Sequence, residues 1–244
     1  MKNASRRHVL IAFAASAATG AFAADRGVRG SGRAATERRA VSGFDRVAIA
    51  GSFEVEIRQG TQEGVELTGD DNLLALVETH IEGAPGAATL KIGPKNDARL
   101  EPSQPIRVHI DLIHLSGIDL GGAGSVGANG LHAGRLGVSI GGAGRVVLAG
   151  LEAERLTVDI GGSGHVKADG RAKGLAISIG GSGSCELAQL VVDDAKIDIA
   201  GSGKAEVSAS QRLHISIAGS GHVRYSGAAV PTVSIVSSGS VQPG

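Results

Sequence analysis

From residue 116 to the end of the chain, apolar and polar residues alternate in short runs that recur on a fixed period. The runs that precede each Gly-rich turn are Ser116/Ile118/Leu120, Leu136/Val138/Ile140, Leu156/Val158/Ile160, Leu175/Ile177/Ile179, Ala195/Ile197/Ile199, Leu213/Ile215/Ile217 and Pro231/Val233/Ile235. Strict alternation rich in β-branched residues is the pattern of a strand with one buried face. The turns read GGAG at 121–124 and 141–144, GGSG at 161–164 and 180–183, AGSG at 200–203 and 218–221, and VSSG at 236–239. Their starts are 20, 20, 19, 20, 18 and 18 residues apart. A period near twenty marks a solenoid, whose units are too small to bury their own apolar faces and stack on their neighbours instead.

After each turn a second run places Val126, Val146, Val166, Cys185, Ala205, Val223 and Val241 in one inward column. Ala128, Leu148, Ala168, Leu187, Val207 and Tyr225 form the next column. A third segment, beginning at Leu131, Leu151 and Leu190, closes the circuit. Two or three strands in about twenty residues predict an all-β, parallel β-helix-like solenoid. With strands about 4.8 Å apart, seven coils give a rod of about 30 Å. Glycine in the turns permits positive φ and close approach of neighbouring backbones.

Residues 42–110 are also strand by pattern, at Val47 to Ile49, Phe53 to Ile57, Val65 to Leu67, Leu90 to Ile92 and Ile106 to Ile110. Asp71 to His80 carries its apolar residues at helical spacing behind an acidic start, which predicts one short helix covering part of the coil. Residues 42–244 therefore read as a single domain, with an N-terminal β-rich part to residue 110 and repeated coils from 111.

The N-terminus reads differently. Lys2, Arg6 and Arg7 precede an Ala-rich apolar stretch that ends in small residues at Ala21 and Ala23, the layout of an export signal over 1–23. Ser5-Arg6-Arg7 resembles a twin-arginine signal, with an ordinary secretory signal as the alternative. Either route places the protein in the periplasm or at the surface of a bacterium. Residues 24–41 hold little to bury and read as a flexible linker.

Several of these pieces together resemble a known bacterial family, the auto-transporter adhesin, head GIN domain proteins, whose domain has no assigned function. The resemblance is carried by VSGFDRVAIAGSFEVEIRQG from Val41 to Gly60, by GDDNLLALVET from Gly69 to Thr79, and by the GSG turns through Gly221. It implies a right-handed β-helix-like fold and an exported location, and it brings no catalytic residues. The chain has no set of amphipathic membrane strands with which to build an auto-transporter's barrel.

Charge narrows the partners. Lys and Arg number 24 against 24 Asp and Glu, a balance that gives no reason to expect nucleic acid. The single cysteine, Cys185, precludes an intramolecular disulfide and falls in an apolar column, where it acts as a small hydrophobe.

No catalytic residue, cofactor site or metal site is assigned. The repeated GGxG turns differ from calcium-binding nonapeptide repeats: the period is twice as long, and Ser125, Arg145, His165, Ser184, Lys204 and His222 follow the last glycine. None continues into a P-loop. His80, His109, His114, His132, His165, His214 and His222 show no paired-ligand spacing.

Two outward columns remain. Asp119, Ser139, Asp159, Ser178, Asp198, Ser216 and Ser234 place a carboxylate on every second coil, about 9.6 Å apart, as a solvated face or as the acids of a polysaccharide-cleaving groove. Beside it, Arg145, His165, Lys167, Lys204, His222 and Arg224, interrupted by Glu186 and Glu206, could meet an acidic polysaccharide or lipid head groups. Beyond the signal the aromatic residues are Phe44, Phe53 and Tyr225, few for sugar stacking. The expectation is a noncatalytic envelope interaction or adhesion module that binds an envelope glycan or surface protein. An enzyme acting on polysaccharide through the Asp column is the alternative. Self-association through the coil ends is a further expectation, since an open edge leaves backbone groups unpaired.

Overall fold

In the computed structural model, residues 27–84 and 86–244 are described. The export signal read at 1–23 and the start of the linker, 24–26, lie outside them.

The N-terminal part runs β1 (Val28–Arg29), β2 (Ala34–Arg39), β3 (Arg46–Ala50), β4 (Glu54–Gln59), β5 (Gly64–Asp70), a one-turn helix α1 (Asp71–Leu74), β6 (Val77–Glu82), β7 (Thr89–Pro94), β8 (Leu100–Glu101) and β9 (Arg107–Leu112). The repeats follow as β10 (Gly117–Gly121), β11 (Ser125–Asn129), β12 (His132–Ile140) and β13 (Arg145–Ile160). The chain continues with β14 (His165–Gly181), β15 (Ser184–Gly201), β16 (Lys204–Gly219), β17 (His222–Ser226), β18 (Pro231–Val236) and β19 (Ser240–Pro243). Strand from β10 onward pairs in parallel, one coil on the next, as a β-solenoid of about six turns with coils of about 20 residues.

The alternation becomes ladders. Ile118, Val138, Val158, Ile177, Ile197 and Ile215 are successive register partners, each at most 2% exposed. Burying each such side chain contributes about 1.5–3 kcal/mol. Unequal coil lengths are absorbed by register slips around the third segment, between Leu148 and Leu151, between Lys167 and Gly170, and in β15 between Leu187 and Val191 and between Val192 and Asp194. Tyr225 is partly buried against the core. In the last rung Val233 and Ile235 are 42% and 39% exposed, since no further coil covers them among the described residues.

The Gly-rich turns hydrogen-bond from coil to coil. Ser163, Ser182, Ser202 and Ser220 each donate a backbone N–H to the glycine carbonyl of the turn below at 2.9 Å. That carbonyl occupies the space a side chain would need: a Cβ on Gly201 would lie 2.5 Å from the Gly181 oxygen, at φ +131. Only glycine meets both demands.

The repeat begins earlier than the alternating runs indicate. Strands β3 and β4, joined by Gly51-Ser52-Phe53, pair in register with β10 and β11, and Gly51 donates its N–H to the Gly121 carbonyl at 2.8 Å. Residues 44–60 are thus a coil in their own right, and the segment between Gly60 and Ser116 folds back over its far side. There β7 and β9 add one parallel rung, β6 and β5 pair with them antiparallel, and β2 pairs antiparallel with β5. The outermost strands carry Glu37, Arg38, Arg39, Glu78, His80 and Glu82, charges that discourage further strand pairing.

Two expectations are corrected here. The helix expected over Asp71 to His80 ends at Leu74, and the β-branched Val77, Thr79 and Ile81 continue as β6. Residues 34–39, expected to be flexible linker, are strand β2. Polar contacts rather than apolar burial hold it: the Arg39 guanidinium donates to the carbonyls of Val77 at 2.6 Å and Leu74 at 2.9 Å, and Arg38 pairs with Glu66 at 2.7 Å.

Asp70 is the buried ionisable residue of this cap. It accepts the backbone N–H groups of Gly32 and Ser103, both at 2.8 Å, and the Ser103 hydroxyl at 2.5 Å. The Ser103 hydroxyl leads in holding its carboxyl below the ordinary range. A depressed folded-state pKa means that the contribution is complete above the unfolded value of about 3.9 and is lost as pH falls through the folded value. Asp70→Ala should therefore lower the urea midpoint at pH 7, with the gap to the native protein closing in acid. A gap that stays constant with pH would contradict this role.

Candidate functional site

The outer surface of the solenoid presents two flat faces whose side chains stand in straight rows. On the first, Lys91, Ala48, Asp119, Ser139, Asp159, Ser178, Asp198, Ser216 and Ser234 are successive register partners, one per rung. The carboxylates therefore do recur on alternate coils, with a serine between them. Arg46 reaches across Gly117 to Asp119 at 3.0 Å, and Lys196 holds Asp198 at 2.6 Å. A separation of about 9.6 Å is at the outer limit for an acid and base cleaving a glycosidic bond.

At the capped end of this face lies a groove of about 460 Å³. Its floor is built of small residues, among them Ala48, Ala50, Gly93, Gly121 and Ser139, and its walls include Glu78, His80 and Lys91. Lys91 and His80 both reach Glu82, the lysine contact leading in holding that carboxyl below its ordinary range.

On the second face the row is Arg107, Glu54, Ser125, Arg145, His165, Ser184, Lys204, His222 and Ser240. The adjacent row carries Val147, Lys167, Glu186, Glu206, Arg224 and Gln242. Arg107 pairs with Glu54 and Arg224 with Glu206, each at 3.3 Å, while Lys167 lies 4.0 Å from Glu186. The basic residues singled out in the sequence thus share one face, with the two glutamates beside them.

Register brings together one constellation that the sequence reading missed. His165 Nδ1 lies 2.7 Å from the Ser184 hydroxyl, and its Nε2 lies 3.6 Å from Glu186. A hydroxyl, an imidazole and a carboxylate in contact are the parts of a nucleophilic triad, yet this one has no oxyanion hole. The Ser184 N–H is spent on the Gly164 carbonyl and the Lys204 N–H on that of Gly183, at 2.9 and 3.0 Å. The same His–Ser contact recurs at His222 and Ser240, again at 2.7 Å, where Gln242 rather than a carboxylate stands in the adjacent row. Repetition on the ladder makes the pair a cross-rung contact of the sheet. The signal for it was present in the column His165/Ser184, one coil apart.

Cys185 is 1% exposed and stacks between Val166 and Ala205. Burial pushes its thiol up to about 12, so it is held as an unreactive thiol. Among the described residues no helix is long and apolar enough to cross a membrane.

Solved structures share this architecture. A putative adhesin from Bacteroides fragilis superposes with a TM-score of 0.82 at 22% identity, covering 89% of this chain and 100% of its own. A putative lipid binding protein from Parabacteroides distasonis gives 0.72 at 25% identity over 89% of this chain and 99% of that one. A putative adhesin from the same species gives 0.70 at 23%, with the same coverage of both chains. No curated protein matches the sequence. Residues 43–229, from the first coil to the last complete one, match the family described as putative auto-transporter adhesin, head GIN domain, and the chain belongs to that family.

Proposed function

We propose that the protein is an exported, noncatalytic interaction module of the bacterial envelope, of adhesion type, that engages an extended partner along its flat faces. One observation carries this reading: outward side chains stand in straight, in-register rows over many rungs and do not converge on an enclosed site. Such rows suit a long partner lying on the surface better than a small substrate held in a pocket. Family membership and the basic, apolar and small-residue segments of the N-terminus support the exported location.

The test is a binding panel of envelope glycans, lipopolysaccharide, lipid vesicles and matrix proteins, with product analysis of every glycan. Saturable binding without new product is the expected result. Product that disappears when Asp159 and Asp198 become Asn would replace this reading with that of a polysaccharide-cleaving enzyme. The vesicle arm addresses lipid, the ligand class named for the Parabacteroides distasonis relative.

A further inference from the structure

The row on the second face has a period of three rungs: Arg107–Glu54–Ser125, then Arg145–His165–Ser184, then Lys204–His222–Ser240. Each unit is a cation, a second polar group and a serine. In the first unit Glu54 neutralises Arg107 at 3.3 Å. In the other two a histidine replaces the glutamate and bonds the serine of the next rung at 2.7 Å, leaving the cation without that partner. Among the described residues Arg145 and Lys204 form no ion pair, whereas Arg107, Lys167 and Arg224 on the same face each have a glutamate. Two exposed unpaired cations therefore stand about 14 Å apart in a straight line, with hydroxyl and imidazole groups between them.

Resting on the interaction-module reading, we propose that the row from Arg145 to Ser240 is the track for a single linear acidic polysaccharide of the polyuronate type, lying along the solenoid axis. Arg145 and Lys204 take sugar carboxylates. The His165–Ser184 pair faces the sugar hydroxyls between those two carboxylates, and the His222–Ser240 pair faces those beyond Lys204. A sugar residue is about as long as one step between strands, so a stretched polymer stays in phase with the rungs.

Width decides between a polymer and a membrane. A thin chain on this row meets the unpaired Arg145 and Lys204, whereas a flat anionic surface also meets the row beside it, where Glu186 and Glu206 offset Lys167 and Arg224. The face offers no large exposed apolar side chain to enter a bilayer: Val28, Ile81, Ile113, Val191, Val230, Val233, Ile235 and Val236 all lie elsewhere. With few aromatic platforms in the chain, charge is the available means of recognition.

The experiment titrates the protein with polygalacturonate fragments, and in parallel with dextran, a matrix protein and phosphatidylglycerol vesicles. Saturable polygalacturonate binding that weakens with added salt is expected. Arg145→Ser with Lys204→Ser should weaken it about tenfold, while Arg135→Ser with Arg155→Ser, an equal charge loss at exposed positions off the row, should change it less than about twofold. Equal losses from the two double variants would overturn the proposal, since binding would then follow net charge alone. Binding to dextran, matrix protein or vesicles without binding to polygalacturonate would overturn it and leave the interaction module standing. Binding to none of the four would also overturn it, and the interaction module would then stand or fall on the lipopolysaccharide and envelope-glycan arms of the wider panel.

Discussion

Gly201→Val should destabilise the protein by about 3–5 kcal/mol, a large share of the about 5–15 kcal/mol that holds a domain of ordinary stability. At φ +131 a β-branched residue is strained before it meets anything, and its Cβ would lie 2.5 Å from the Gly181 carbonyl oxygen. That oxygen already accepts the Ser202 N–H at 2.9 Å, so making room breaks the ladder through the turn. Gly161→Ala supplies the contrast, because nothing lies within 4 Å of its would-be Cβ and its φ is outside the left-handed region. Its effect should be within about 0.5 kcal/mol, or slightly stabilising through the unfolded chain. Urea midpoints of the two variants test the argument, and similar losses in both would refute it.

Ile197→Ala should cost about 2–5 kcal/mol. Its side chain is fully buried between Ile177 below and Ile215 above, so truncation opens a gap against both neighbouring coils. In a solenoid each coil is held by its two interfaces, and a defect in the middle weakens both. Val233→Ala, in the same column but 42% exposed on the last rung, should cost less than about 1 kcal/mol. Equal costs for the two would mean that the last rung is covered in solution.

The coils were legible because two periods agree: alternation of two within a strand and a return near twenty between strands. Together they assign Ile197, Cys185 and the Asp row to their columns from the sequence alone. The first coil was harder to see. Ile49-Ala50-Gly51-Ser52-Phe53 parallels Ile199-Ala200-Gly201-Ser202-Gly203, but Phe53 stands where glycine recurs later and a long segment separates it from the next turn. Strand β2 escaped detection because Arg38 and Arg39 anchor it through charge and carbonyl contacts, which leave no apolar alternation behind. The His165–Ser184 contact needed the columns to be read across coils rather than along the chain.

The position of the first coil also bears on the order of assembly. Contacts between neighbouring later coils join residues about 18 to 20 apart, as in Asp194–Arg212, His165–Ser184 and Ile140–Ile160. The contact between Asp45 and Ser116 joins residues 71 apart. Closing the longer loop carries an added entropic cost of about 1 kcal/mol. Local pairing in β13 to β16 has no such added cost, so nucleation belongs there. The end of the solenoid that is synthesised first is therefore among the last to close.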